Sequence, residues 1–196
     1  MPDSFNFVIA FAIPVLILTL AAFLAAILIR SRGKKSGKPD NELIEVEKYI
    51  ESFSFIPSLR VPGVKEAVNE IVDKIAADNR KFIKNAEKAA DDVLKREKTM
   101  STGLDRGVAV PHGISDAVSR LSGAIAIVDN ENGIPGYDTI DNAPVRVVVL
   151  TISPAGTSSP NLSVLAYIMR RLRERDGLQT LLECKSAAEM KNFFLK

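Results

Sequence analysis

Tryptophan is absent from this 196-residue chain, and cysteine and histidine each occur once. The lone Cys184 cannot close an internal disulfide, and it has neither a CxxC partner nor a neighbouring histidine. Disulfide scaffolds and thiol-redox motifs are thereby excluded, and a reducing compartment suits the chain. With Leu181 and Leu182 beside it, its thiol reads as packed rather than reactive. No residues stand at metal-ligand spacing, so no metal and no cofactor is expected. Charge of one sign is also missing. Lys and Arg number 26 against 24 Asp and Glu, and five of these cations lie in residues 30–38, with Asp3 before them. Residues 39–196 are left with 21 cations and 23 anions, a balance that excludes a nucleic-acid binder. Internal repeats are absent.

The N-terminus lacks charge altogether over residues 4–29, where Leu, Ile, Ala, Val and Phe dominate. A helix needs about 20 apolar residues to cross the hydrocarbon core, so this run predicts a transmembrane helix, with Pro14 tolerated inside it. A cleaved signal peptide fits less well: no basic stretch precedes the run, which exceeds the usual apolar region of about 7–15 residues. Arg30, Arg32, Lys34, Lys35 and Lys38 follow it. Positive residues stay on the cytoplasmic side, which places the rest of the chain in the cytoplasm of a single-pass membrane protein. These cations either touch anionic headgroups or only enforce topology. A basic linker and a short helix (Glu42 to Ser52) occupy residues 30–52, and residues 53–196 are of a length for one domain with its own core.

Within that domain the periodicity alternates. Val64, Ala67, Val68, Ile71, Val72 and Ile75 recur at helical spacing, as do Phe82, Ile83, Ala86, Ala89, Ala90, Val93 and Leu94. Gly107 to Val110, Gly123 to Val128 and Val145 to Ile152 read as strands, with an earlier one near Phe53 to Ile56. VRVVVLTI is apolar on both faces, which predicts a central buried strand. A helix opening at Ser159 to Asn161 carries Leu162, Leu165, Ala166, Ile168, Met169 and Leu172 on its inner side. A short helix follows Gly177, and Ser186 with Glu189 forms a capping box for the last one. The pattern predicts a three-layer α/β/α sandwich with a mixed sheet, preceded by the transmembrane helix.

The single histidine lies in STGLDRGVAVPHG, residues 101–113. A short apolar strand (Val108 to Val110) stops at Pro111, which lacks an amide donor, and His112 is expected in the turn before Gly113. An exposed polar residue is the plain reading of such a histidine. A functional one is the alternative, since strand ends of α/β folds are where loop side chains meet ligands.

Four segments decide between them: KREKTMSTGLDRGVAVPHG (95–113), DTIDNAPVRVVVLTISP (138–154), NLSVLAYIMRRL (161–172) and LLECKSAAEM (181–190). With them, the chain from about Phe55 to Lys196 resembles the fructose/mannitol-type EIIA domain of the bacterial phosphoenolpyruvate-dependent sugar phosphotransferase system, its nitrogen-related branch in particular. The resemblance implies that His112 accepts a phosphoryl group from the phosphocarrier HPr or a paralogue, and that the group passes to an EIIB partner. It also implies that Arg96 is the active-site arginine, whose guanidinium fork suits phosphate oxygens. Without the resemblance, Arg96 reads as a surface cation paired with Glu97 or Asp92. Ser101 and Thr102 either bind the phosphoryl group or shape the turn, and Gly113 would free backbone amides for an anion.

The chain departs from the family pattern at Asn161, where the family carries a second histidine. Asn161 offers a hydrogen-bond donor but never a charge; it is also a natural helix N-cap. Asp105 stands where the family often has glycine, and the loop from Asn130 to Tyr137 is slightly longer than usual. Three readings follow: a phosphoryl carrier in which His112 passes the group to an EIIB partner or holds it as a regulatory signal, a non-catalytic membrane-tethered regulatory or binding module impaired in onward transfer, and a module in which His112 is only structural.

Overall fold

The computed structural model describes residues 39–156 and 160–196, which excludes the expected membrane span 4–29 and the basic residues 30–38. Among the described residues, no helix is long and apolar enough to cross a membrane. The chain divides between Glu42 and Leu43, and the sheet belongs to the unit from Leu43 to Lys196.

In chain order the elements are α1 (Pro39–Glu51), β1 (Ser54–Leu59), α2 (Val64–Asp78), α3 (Ala86–Thr99), β2 (Val108–Ala109), β3 (His112–Ser115), β4 (Ser122–Val128), β5 (Val147–Pro154), α4 (Asn161–Arg173), α5 (Gly177–Leu182) and α6 (Ala187–Leu195). This is a mixed α/β fold. β1 pairs in parallel with β4, β4 is antiparallel to β5, and β2 and β3 both run parallel to β5 along its other side. β1 is an edge strand, which accommodates Pro57, and its register with β4 shifts between Ile56 and Leu59.

β5 is the central buried strand its sequence predicts. Val148, Leu150 and Ile152 join one apolar cluster with residues of α2 and α3. Val147 and Val149 join another with residues of α1, α4, α5 and α6. Both faces of the sheet are therefore covered by helices, and each aliphatic side chain fully buried there contributes about 1.5–3 kcal/mol.

Two helices differ from expectation. α3 begins at Ala86, not at Phe82, because Asn85 caps it by accepting the Lys88 amide at 2.9 Å. The Phe82–Lys84 segment instead bonds to residues 117–119: the Lys84 amide donates to Ala117 O and the Ser119 amide to Phe82 O. In α4 Ile168 and Leu172 are buried as expected and Leu165 and Met169 pack beside them, but Val164 joins this face while Ala166 is exposed and Leu162 is 80% exposed. At the C-terminus, Ser186 caps α6 through the Glu189 amide, while the Glu189 carboxylate reaches back to the Lys185 amide.

The contact of α3 with β3 sets where His112 lies. A Cβ added to Gly113 would stand 2.9 Å from Val93 Cγ2 and 3.2 Å from the Val93 backbone, so only glycine lets the helix approach this closely. Two residues on, the Ser115 hydroxyl donates to Asp92 Oδ2 at 2.7 Å, and Lys88 Nζ lies 3.0 Å from the same oxygen. Burial opposes the charge of Asp92, but the Ser115 and Lys88 contacts outweigh it and hold its carboxyl below the usual range.

Gly113→Ala should destabilise the domain by about 1–3 kcal/mol through overpacking against the helix backbone, read from the urea midpoint. An unchanged midpoint contradicts the close approach. The Asp92 carboxyl, depressed in the folded state, contributes stability that is fully present above the unfolded value of about 3.9 and lost as pH falls through the folded one. The stability gap between the parent chain and Asp92→Asn should therefore be widest near neutrality and close below about pH 4.

Candidate functional site

Pro111 has no amide hydrogen, and the strand that starts at Val108 is interrupted there. The Pro111 carbonyl still accepts the Thr151 amide at 3.1 Å, and pairing resumes at once. His112 is thus not in a turn, as its sequence predicts, but is the first residue of β3, in register with Thr151 of β5.

The ring is half-buried, and its Nδ1 lies 2.9 Å from Val110 O. A carbonyl oxygen only accepts, so Nδ1 carries the proton and donates. Neutral imidazole has one bare nitrogen, and this contact makes it Nε2. The site thus contains a nucleophile with its lone pair assigned to one atom, and no general base is needed to expose it.

The residues upstream form a hairpin against the His112 strand. The Val110 amide donates to Thr102 O at 3.1 Å, the Leu104 amide to Val108 O at 2.7 Å, and Gly103 bridges to Ala109. Arg106 and Gly107 turn the hairpin with positive φ. The Arg106 amide donates to Asp141 Oδ2 at 2.8 Å, and Asp105, at the position where a glycine was expected, pairs with Arg173 at 3.2 Å.

Arg96 occupies the last turn of α3, one turn beyond Val93, and its Nη1 donates to Met100 O at 3.2 Å. The two carboxylates expected to pair with it are engaged elsewhere: Asp92 with Lys88, Lys95 and Ser115, and Glu97 with the Ser101–Thr102 turn. The Ser101 hydroxyl is 3.2 Å from Glu97 Oε1 and 2.8 Å from Asp138 O. The Thr102 hydroxyl donates to Glu97 Oε2, and its amide to Glu97 Oε1 at 2.8 Å. Both hydroxyls therefore shape the turn in this structure. Gly113, expected to free amides for an anion, packs its Cα against Val93.

Asn161 is the first residue of α4, and Pro160 rather than Asn161 stands at the N-cap position. The loop that joins α4 to β5 includes residues 157–159, which lie outside those described. No group of three His, Cys, Asp or Glu side chains among the described residues is placed to hold a metal ion. Cys184 is half-buried, and burial pushes its thiol pKa up.

Sequence reasoning missed two features. The large apolar side chains left exposed include Met100, Ile114 and Leu162, at 65%, 70% and 80%. Each stands close in sequence to a site residue: Arg96, His112 and Asn161 respectively. Only the packing of α4 reveals Leu162. The second feature is Tyr137, whose hydroxyl lies 3.2 Å from Thr102 Oγ1. Burial pushes the Tyr137 hydroxyl well above its usual range, against the Thr102 hydrogen bond and with the Glu97 charge, so it stays protonated. Because the Thr102 proton points to Glu97, Tyr137 is the donor in this contact.

Comparison with known proteins identifies the family and the fold. The chain is 31% identical over 135 residues to a nitrogen regulatory protein of Bradyrhizobium diazoefficiens, covering 68% of this chain and 84% of the relative. It is 30% identical over 125 residues to a PTS system fructose-specific EIIA component of Haloferax volcanii, covering 64% and 79%. The fold matches the crystal structure of nitrogen regulatory protein IIA-Ntr from Neisseria meningitidis with a TM-score of 0.64 at 22% identity, over 76% of this chain and 98% of that one. Residues 49–196 match the family described as phosphoenolpyruvate-dependent sugar phosphotransferase system, EIIA 2. The chain therefore belongs to the EIIA type 2 family.

Proposed function

We propose that the chain is a phosphohistidine carrier in which His112 Nε2 takes a phosphoryl group from an HPr-like donor. The group is then passed to an EIIB-like acceptor or held as a regulatory signal. The observation that carries this reading is the 2.9 Å contact of His112 Nδ1 with Val110 O. In the transfer, the phosphorus–nitrogen bond to Nε2 forms as the donor's bond to phosphorus breaks, and no proton leaves the ring. Phosphoryl transfer asks mainly for positioning and charge neutralisation. Arg96 supplies the charge, exchanging its weak contact with Met100 O for phosphate oxygens. The exposed Met100, Ile114 and Leu162 supply apolar surface for the protein partners.

The regulatory form of this reading is favoured by Asn161. An asparagine at the start of α4 adds no positive charge beside a phosphoryl group, so the phosphorylated state persists longer than a histidine pair would allow. The similarity to a nitrogen regulatory protein points the same way. The uncharged run at 4–29 and the cations after it support a reading in which one helix holds this domain at the cytoplasmic face of a membrane.

The full chain, incubated with phosphoenolpyruvate, Enzyme I and HPr, should gain one acid-labile phosphate by intact mass, and His112→Ala should gain none. Labelling that survives in His112→Ala, or no labelling of the parent chain with a cognate donor, contradicts the reading. Arg96→Ala should be phosphorylated about 100-fold more slowly, the usual cost of one charge-stabilising donor. Asn161→His should speed onward transfer to an EIIB acceptor; an unchanged rate means that this position does not limit it.

A further inference from the structure

Hydrogen bonds run without a break from a carboxylate outside the site to the reactive ring. Glu97 accepts from the Thr102 amide and hydroxyl. The Thr102 carbonyl accepts the Val110 amide at 3.1 Å. The Val110 carbonyl accepts His112 Nδ1 at 2.9 Å. We propose that Glu97 is a positioning residue for His112, acting through Thr102 and Val110, and that Tyr137 couples the loop from Asp129 to Arg146 to the same chain of contacts. This inference rests on the phosphocarrier reading for its effect on rate, though not for its effect on the ring.

Thr102 is held at every polar atom it has. Its amide and hydroxyl meet Glu97, its carbonyl meets Val110, and its hydroxyl also receives Tyr137. It is 6% exposed, so water does not compete freely for these contacts. Bonds to an ionised carboxylate are about twice as strong as neutral ones, which makes Glu97 the stiff end of the chain. The loop is clamped at the same point: Ser101 Oγ lies 2.8 Å from Asp138 O, and a Cβ on Gly103 would stand 2.0 Å from that oxygen. A turn that merely needed the Thr102 amide satisfied would be served by the one contact to Glu97 Oε1. The additional hydroxyl contacts fix the plane of the 102–110 hairpin, and with it the direction of the carbonyl that selects the tautomer of His112. A partner or ligand that moves the loop at Tyr137 thereby reaches the ring without touching it.

Because the chain has one histidine, nitrogen-15 histidine labelling of the full chain gives a spectrum of this ring alone. At a pH where the ring is neutral, the parent chain should show a protonated Nδ1 and a bare Nε2. Glu97→Gln and Thr102→Val should each move part of the population to the form with the proton on Nε2. Thr102→Ser, which keeps the hydroxyl, should retain the parent spectrum. Phosphorylation of the two shifted variants should slow by about tenfold in kcat, with KM for HPr unchanged, as expected for a mispositioned nucleophile. Should Glu97→Gln fail to fold, Thr102→Val decides the matter, since its backbone contacts remain available. A folded variant with the parent's tautomer, or a parent ring protonated on Nε2, overturns the proposal. Failure of the parent chain to accept phosphate strikes the carrier reading alone, because the tautomer is read without any phosphate.

Discussion

One hydrogen bond orders the site: His112 Nδ1 to the carbonyl of Val110. A neutral imidazole can present either nitrogen, and only the one without a proton is a nucleophile. By occupying Nδ1 with a carbonyl two residues back, the chain assigns that role to Nε2. The geometry depends on Pro111 between them. Its nitrogen cannot donate, and strand pairing breaks over Val110 and Pro111, which lets a side chain fold back on its own backbone. Pairing with β5 then resumes at His112 itself, which fixes the residue's backbone while its ring is held from behind.

Much of the remaining architecture holds that strand in place. β5 is buried on both faces and carries β4 on one side and β2 and β3 on the other. α3 comes close enough to β3 that Gly113 has no room for a side chain, and Asp92 ties the same helix to Ser115. One helix turn further, the same element carries Arg96, so the cation and the histidine are positioned by one helix–strand contact. On the proposed reading, Arg96 is the cation of the site; in the structure it contacts Met100 O. The proposed regulatory role rests on the asparagine at the head of α4, where the resemblance implies a second histidine.

Every strand but β3, and most helices, were legible in the sequence because their apolar residues follow the period of each element; β3 was read as a turn after Pro111. β5 could be read as central from VRVVVLTI, since an edge or half-exposed strand would alternate. The start of the inner face of α4 could not: Leu162 and Val164 are both apolar, and only packing against the sheet decides which turns inward. The start of α3 was misjudged because Phe82 and Ile83 continue a helical pattern that the Asn85 cap interrupts. At the site, the motif gave His112 and Arg96 their candidacy. It could not show that Ser101 and Thr102 serve Glu97, or that Gly113 serves Val93, because these are contacts across the fold and not spacings along it.

The central claim is that the 2.9 Å contact at Nδ1 leaves Nε2 to react. The most direct test is the one-bond coupling between phosphorus-31 and nitrogen-15 in the phosphorylated full chain labelled at its single histidine. Coupling to Nε2 is the predicted result. Coupling to Nδ1 contradicts the account, because that nitrogen would then have had to give up the bond on which the site is built.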